Sequence, residues 1–237
     1  MDNGRVILGV FAHPDDETSG CGGTFARYAR EGAAVFNITA TRGELGSLGS
    51  GDLTIAREDL PKVRESELRV VLKSYGANPP IILGYRDQGL KDADLEVLVD
   101  KVYEVMARVD PDVVITFGPL GISRHDDHMT LHTATVAAFE RYYDQVKKSP
   151  RLFYVCIPPQ LAEEWELEID GPDVDPTHVI DIAETKSLKI GALRTYVSQE
   201  DAQELADIVE EWPAANEWFH QARPSPCRDN GMANGFW

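Results

Sequence analysis

Cysteine is scarce in this sequence of 237 residues, which contains three, Cys21, Cys156 and Cys227. They are odd in number and far apart, and no CxxC pair occurs. Neither a disulfide framework nor a cysteine-based zinc motif is therefore indicated. This usage is typical of a reducing compartment, and we expect a cytoplasmic protein.

Positive charge and long apolar runs are also in short supply. Lys and Arg total 23 against 40 Asp and Glu, so the formal net charge is −17 at pH 7. Such a surface repels nucleic acids and anionic membranes, and neither is an expected partner. No apolar run approaches the ~18 residues of a membrane span, and the first apolar run is too short and too acid-flanked for a signal peptide.

The apolar content is ordinary, at 43% of residues, and the length suits one large α/β domain. We expect a single domain over 1–237, with an irregular tail over about 221–237 that is rich in Pro, Gly and Asn. Strands are predicted at 5–12, 33–40, 80–85, 112–118, 151–158 and 178–182. Helices are predicted at 24–32, 59–76, 92–110, 127–146, 183–197 and 200–212.

Strands that are apolar on both faces and alternate with helices predict a doubly wound, mostly parallel sheet with helices on both faces. Ligands bind such sheets outside the carboxyl ends of the strands. Two strand ends carry unusual chemistry. HPDDE (13–17) follows the first strand, and GPLGISRHDDHMTLH (118–132) follows the fourth.

Histidines and acids are concentrated in these two segments. Imidazole and carboxylate ligands suit zinc or iron in a site with three protein ligands and an open position. A divalent cation also offsets the repulsion between Asp15 and Asp16. Since neighbouring side chains of an extended segment point in opposite directions, one aspartate can bind the metal while the other accepts a proton from water. The pattern therefore predicts a metal-dependent hydrolase. The cluster consists of His13, Asp15, Asp16, Glu17, His125, Asp126, Asp127 and His128.

Simpler interpretations exist for each segment alone. Acidic residues are common at solvated helix N-termini, but two such clusters at predicted strand ends favour a metal site. His132 lies four residues after His128, yet Met129 occupies the position where the zinc-protease helix motif has Glu. We therefore expect His132 to pack against other side chains or to support a metal ligand, rather than to bind the metal. The glycines of SGCGGTF (19–25) do not form G-x-G-x-x-G, and we expect them to allow close packing of a helix on the sheet.

The segment AHPDDE (12–17), followed by His-x-Asp-His at 125–128, resembles the LmbE-like (PIG-L) family of metal-dependent N-acetylglucosaminyl deacetylases. The similarity covers most of residues 5–200. Weaker matches are TRGE (41–44), RESE (64–67), LGYRDQG (83–89) and KIGALRTYVSQ (189–199).

The resemblance implies a Rossmann-like α/β fold with one divalent metal, commonly zinc, although the ligand set also permits iron(II). Carried over by position, His13, Asp16 and His128 would bind the metal. Asp15 would be the general base that activates water. His125 would protonate the leaving amine or stabilise the tetrahedral oxyanion.

Three further roles follow from the same resemblance. Asp127 would orient a histidine, and Arg64 and Asp87 match positions where relatives contact sugar hydroxyls. The sequence departs from the family pattern at Arg124, Asp126 and Tyr196, which replace the usual Gly, Pro and His. We expect Arg124 and Tyr196 to alter the substrate pocket.

The function expected is removal of an acetyl group from an N-acetylglucosamine-type or related N-acyl amine, with a small amino-sugar conjugate as the partner. Two alternatives stay open, an amidase acting on a non-sugar N-acyl substrate and a non-catalytic metal- or sugar-binding protein. Relatives often form trimers or hexamers, so a homo-oligomer is also open. The sequence does not choose the individual substrate.

Overall fold

A computed structural model describes residues 4–225 and 231–237. Within them one sheet has the strand order β3-β2-β1-β4-β5-β7-β6. The first five strands in this order are parallel, while β7 runs antiparallel to both β5 and β6. The strands are β1 (Val6–Phe11), β2 (Ala34–Thr39), β3 (Ile81–Ile82), β4 (Val113–Thr116), β5 (Arg151–Cys156), β6 (His178–Asp181) and β7 (Asn216–Arg223).

The helices form two packed groups. Helices α1, α2, α7 and α8 contact one another, and α3 packs on α5. The chain winds outward from β1 through β2 to β3 and then crosses back past β1 to β4 and β5. Right-handed crossovers in these two opposite directions place the helix groups on opposite faces of the sheet, so the doubly wound prediction is confirmed. The helices are α1 (Asp16–Arg30), α2 (Leu60–Tyr75), α3 (Leu95–Val109), α4 (Gly121–Arg124), α5 (Asp126–Tyr143), α6 (Pro159–Glu164), α7 (Lys186–Thr195) and α8 (Glu200–Glu211), with 3₁₀ turns at Leu90–Asp92 and Gly171–Asp173.

The central strands explain the apolar runs of the sequence. Ile7, Leu8 and Val10 of β1 are all fully buried because helices cover both faces. Helix α1 lies close to the sheet at Gly20, where an added Cβ would come 2.9 Å from a methyl group of Val155. The expectation that this glycine allows close packing is therefore confirmed.

The structure differs from the prediction in several elements. Strand β7 was not predicted, and it reaches Arg223, inside the segment that we expected to be irregular. Its residues alternate between buried and half-buried because one face packs on the core. Phe236 is also fully buried, although it lies in the same predicted tail. Residues 226–230 of that tail, with Cys227, are outside the described residues.

Other differences concern element length. Helix α1 begins at Asp16 rather than at residue 24, so the acidic segment forms its first turn. Strand β3 has two residues rather than six. The short helix α6, which follows Pro158, was missed. Among the described residues no helix is both long and apolar enough to cross a membrane.

Candidate metal centre

The two predicted segments meet at one edge of the sheet. Strands β1 and β4 are parallel neighbours, and the chain reverses its winding direction between them. His13, Asp15 and Asp16 follow β1, whereas His125 and His128 lie at the start of α5, shortly after β4. This is the switch point at which ligands bind in open α/β sheets, and the predicted proximity of the two clusters is confirmed.

Side-chain atoms of three residues converge at this edge. Nδ1 of His13 lies 3.4 Å from Oδ2 of Asp16 and 3.2 Å from Nε2 of His128. Nε2 of His128 lies 3.5 Å from Oδ1 of Asp16. Ligand atoms at the corners of a tetrahedron with ~2.0–2.1 Å zinc bonds are about 3.3 Å apart. The separations therefore fit a divalent metal held by the two histidine nitrogens and the Asp16 carboxylate, one oxygen of which faces each histidine.

Hydrogen bonds on the outer ring nitrogens fix both histidines. Nδ1 of His128 lies 3.0 Å from the carbonyl oxygen of Gly121, so this nitrogen carries the proton. Nε2 of His13 lies 3.0 Å from Asp87 and 3.4 Å from Asp127, and both carboxylates accept. The two inner nitrogens therefore face each other with lone pairs, which requires a cation or a proton between them.

The electrostatics of these groups agree with a cation site. Burial lowers the pKa of His13, but hydrogen bonds to Asp127, Asp16 and Asp87 raise it well above its usual range. Burial lowers the pKa of His128, with Asp16 opposing. Burial tends to raise the pKa of the Asp16 carboxyl, but His128 and His13 hold it far below its usual range. Asp16 is thus an anion that needs positive charge beside it.

Asp15 is held beside the three ligand atoms in a strained backbone. Its φ of 108° is rare for a residue with a side chain, and such strain is concentrated at functional sites. Its N–H donates to Glu17, and its carboxylate accepts a 2.7 Å hydrogen bond from Arg64. Burial raises the pKa of Asp15, Asp16 raises it further, and Arg64 opposes. A buried carboxylate of raised basicity suits a general base.

Arg64 and Asp87, which the resemblance assigned to sugar contacts, are both engaged within the protein. Arg64 also donates to the carbonyl oxygens of Pro14 and Gly43, at 2.5 and 2.9 Å. Asp87 accepts from His13 and from the backbone N–H of Leu45. Sequence reasoning missed these contacts because they join segments far apart in the chain.

His125 caps helix α5, and this cap determines its tautomer. Its Nδ1 accepts a 3.1 Å hydrogen bond from the backbone N–H of Asp127. The proton of the neutral ring is therefore on Nε2. The His125 ring centre lies 4.9 Å from that of His13 and 4.8 Å from that of His128. His125 can donate a hydrogen bond next to the converging ligand atoms.

Besides His13, His125 and His128, whose ligand atoms lie within 4.8 Å of one another, a further group of potential ligands at this spacing consists of His13, Asp87 and Asp127. The oxygens of Asp127 already accept from the backbone N–H groups of Gln88 and Leu90, at 2.7 and 3.0 Å. We therefore interpret this group as the hydrogen-bonded support of His13. The contact between Asp127 and His13 agrees with the orienting role that the resemblance implies.

A cleft of about 230 Å³ opens beside these residues. Leu45 and Gly46, in the glycine-rich segment 43–51 between β2 and α2, line it together with Gln88, Gln199 and Asp201. Sequence reasoning gave no role to the last three. Gln199 ends the family-like segment KIGALRTYVSQ, and this was the signal that could have identified it.

The three departures from the family pattern do not line the cleft. Arg124 is exposed and donates to the carbonyl oxygen of Glu168, and Asp126 pairs with Lys91 on the surface. Tyr196 is fully buried and donates a 2.6 Å hydrogen bond to Glu17. The expectation that Arg124 and Tyr196 alter the pocket directly is wrong.

His132 packs, as expected, outside the centre. Its Nδ1 lies 2.9 Å from the carbonyl oxygen of Phe117, and its ring meets Tyr154 edge-on. The spacing of four residues from His128 therefore does not create a helix-borne metal site.

The fold resembles several solved structures. The 4-carboxy-2-hydroxymuconate hydratase GalB from Pseudomonas putida has a TM-score of 0.73 and 19% identity, covering 95% of this chain and 99% of that one. The N,N′-diacetylchitobiose deacetylase from Pyrococcus horikoshii has a TM-score of 0.70 and 20% identity, covering 95% and 88%. At these identities the fold is shared, and a hydratase among the neighbours means that the fold does not determine the reaction.

Sequence comparison is more specific. Two similar relatives are named 1D-myo-inositol 2-acetamido-2-deoxy-alpha-D-glucopyranoside deacetylase. The relative from Kineococcus radiotolerans is 38% identical over 164 residues, which are 58% of this chain and 45% of that protein. The relative from Rhodococcus jostii is 32% identical over 84% of this chain and 82% of its own length. The family model described as PIG-L, GlcNAc-PI de-N-acetylase, matches residues 8–139, and the chain belongs to this PIG-L (LmbE-like) family.

Proposed function

We propose that this chain is a metal-dependent N-deacetylase, an amide hydrolase that removes the acetyl group from an N-acetylglucosamine-type conjugate. The observation that carries the proposal is the convergence of His13, Asp16 and His128 beside the carboxylate of Asp15. The names of the two relatives, which describe deacetylation of an acetamido sugar joined to inositol, support the substrate class.

His13, Asp16 and His128 would hold the metal. Two imidazoles and one carboxylate suit zinc, and iron(II) accepts the same set. When bound, such an ion supplies a Lewis acid that polarises the amide carbonyl and lowers the pKa of water.

The chain's own residues supply the proton transfers. Asp15 accepts the proton of the attacking water, and Arg64 keeps its carboxylate oriented through their 2.7 Å contact. The Nε2–H of His125 donates to the developing oxyanion or to the departing amine. Asp127 and Asp87 keep the His13 ring in the orientation that points Nδ1 inward.

The 230 Å³ cleft beside the metal centre, which we call the polar cleft, would hold the amino sugar. Gln88 and Gln199 line it, and the amide of Gln88 can both donate to and accept from hydroxyl groups. The amide of Gln199 is engaged with the backbone of Ser47 and Ser198 and shapes the wall. Asp87 also lines the cleft and, being ionised, has more acceptor sites than its two present contacts use.

The experiment that tests this function is acetate release from a panel of N-acetylglucosamine derivatives by the zinc-reloaded protein. We expect release by the wild type and its loss in Asp15→Asn with metal content retained. Asp126→Asn is a matched control, since Asp126 is an exposed acid that pairs with Lys91. No release across the panel by metal-loaded wild type, or full activity in Asp15→Asn, would contradict the proposal.

A further inference from the structure

A second cavity of about 290 Å³ lies against the metal centre. Four residues, Asp16, Ser123, His128 and Asp201, border both this cavity and the polar cleft. Asp15, Asp87 and His125 line only the cleft, so the second cavity lies on the other side of two of the three proposed metal ligands. We call it the tryptophan chamber.

The walls of the chamber are mainly apolar and come from many elements. Three of the four tryptophans of the sequence line it. The ring centres of Trp165 and Trp212 are 6.2 Å apart, and those of Trp212 and Trp218 are 5.1 Å apart. Large aromatic side chains with surface still open to a cavity are characteristic of ligand sites. The apolar lining includes Phe11, Ile122, Trp165, Leu205, Trp212 and Trp218.

One pair of charges inside the chamber, Lys189 with Glu217, is neutralised within the protein. Nζ of Lys189 lies 2.7 Å from Glu217 and donates to the carbonyl oxygen of Ser19 at 2.9 Å. The Glu217 carboxylate also accepts from the backbone N–H groups of Gly23 and Thr24. This buried pair is fully engaged and offers an occupant no countercharge. The other two charged groups, Asp16 and Asp201, lie where the chamber meets the cleft, so the rest of the chamber offers mainly apolar surface.

We propose that the tryptophan chamber is an acyl subsite that receives an aliphatic N-acyl chain longer than acetyl. The inference rests on the proposed function. An amide carbon at the metal centre has two substituents besides its oxygen, the amine and the acyl chain. The cleft with Asp15, Gln88 and Gln199 suits the amino sugar, and the acyl chain then extends past His128 into the chamber.

The size of the chamber supports a chain of several carbons. A methyl group is similar in size to a water molecule, whose share of liquid volume is about 30 Å³. The methyl of an acetyl group would leave most of the 290 Å³ unfilled. Hydrolysis of a longer amide adds one water across the C–N bond, leaving the carboxylate in the chamber and the amine in the cleft.

The test compares kcat/KM for glucosamine release from N-acetyl-, N-butyryl-, N-hexanoyl- and N-octanoylglucosamine by the zinc-loaded full chain. Each buried methylene contributes about 0.8 kcal/mol, so we expect a rise of at least about tenfold from acetyl to hexanoyl. Trp212→Ala and the cavity-filling Leu205→Trp should both lower the hexanoyl-to-acetyl ratio. Trp237→Ala is the matched control, because Trp237 packs on Tyr28 away from the chamber.

Two results would overturn the acyl subsite while leaving deacetylation intact. One is a wild type that cleaves the acetyl substrate and loses activity with each longer chain. The other is a gain with the octyl glycoside of N-acetylglucosamine and none along the acyl series, which would assign the chamber to an apolar aglycone.

Failure of the proposed function is distinguishable, because no N-acylglucosamine would then be cleaved. In that case calorimetry with octanoate and acetate still tests the chamber. Octanoate should bind at least about tenfold more tightly than acetate, and Leu205→Trp should remove the difference. Equal affinities would overturn the subsite.

Discussion

Nε2 of His13 lies 3.0 Å from Oδ1 of Asp87, and this contact points the other ring nitrogen at Asp16 and His128. A carboxylate behind a ligating histidine fixes its tautomer and raises its basicity. The family resemblance places Asp87 among the sugar contacts. The structure gives it a second task, support of the metal centre.

We expect Asp87→Asn to weaken zinc binding by about 10–100-fold, the usual effect of losing such a supporting carboxylate. Competition against a chromophoric chelator measures the affinity without any substrate. Asp92→Asn, five residues away on an exposed 3₁₀ turn, is the control. An Asp87→Asn protein that binds zinc as tightly as the wild type would show that this contact does not support the site.

The second prediction concerns the buried pair of Arg64 and Asp15. Arg64→Met leaves Asp15 without its cation, and breaking a buried pair in this way costs about 3–5 kcal/mol of unfolding free energy. Because Arg64 lowers the pKa of Asp15, its loss raises that pKa, and the acid limb of the pH–rate profile should move to higher pH.

Arg42→Met is the control for this experiment, since Arg42 pairs with Glu65 on the surface. Exposed pairs contribute less than about 1 kcal/mol, so urea unfolding should barely change. Equal destabilisation by both substitutions, or an unmoved acid limb in Arg64→Met, would contradict the account.

The third prediction compares two tyrosines whose hydroxyl groups are buried in different environments. Tyr196 donates a 2.6 Å hydrogen bond to Glu17, whose other oxygen accepts from the N–H of Asp15. Tyr196→Phe should lower the unfolding free energy by about 1–3 kcal/mol because a buried carboxylate loses a donor. The hydroxyl of Tyr85 is buried with no partner among the described residues, so Tyr85→Phe should be neutral or stabilising. The reverse order in urea denaturation would refute this assignment.

The fourth prediction is a pH dependence of stability from His178. Burial, with help from Arg151 and His220, lowers its pKa from 6.5 to about 4. Between these values the unfolded chain binds more protons than the folded chain. The contribution is therefore fully present above about pH 6.5 and is lost as the pH falls towards 4.

The size of this contribution is at most about 3 kcal/mol, from the shift in the pKa of His178. His178→Gln cannot titrate, so its unfolding free energy should fall less steeply than that of the wild type over this pH range. Parallel curves in urea denaturation would contradict the prediction.

The sequence predicted the layers and the place of the site well, for physical reasons. Strands such as β1 and β4 are buried on both faces and read as continuous apolar runs. HPDDE and HDDH follow those two strands, and parallel neighbours bring their carboxyl ends together. Local sequence pattern and sheet topology were therefore sufficient to predict that His13 and His128 lie in one cluster.

What the sequence did not predict depends on contacts between distant segments. The partners of Arg64 and Asp87 are 49 and 74 residues away, counting from Asp15 and His13. No local periodicity encodes such pairs. The burial of Tyr196 against Glu17 is of the same kind. Strand β7 was missed because only three of its eight residues are buried and two of these, Glu217 and Gln221, are polar, which removes its apolar signal.

The most direct test of the central claim is the anomalous scattering of a zinc-soaked crystal at the zinc absorption edge. The account predicts one strong peak about 2.0–2.2 Å from Nδ1 of His13, a carboxylate oxygen of Asp16 and Nε2 of His128. A peak on the opposite side of the His13 ring, between Asp87 and Asp127, or no peak at this edge of the sheet, would contradict it.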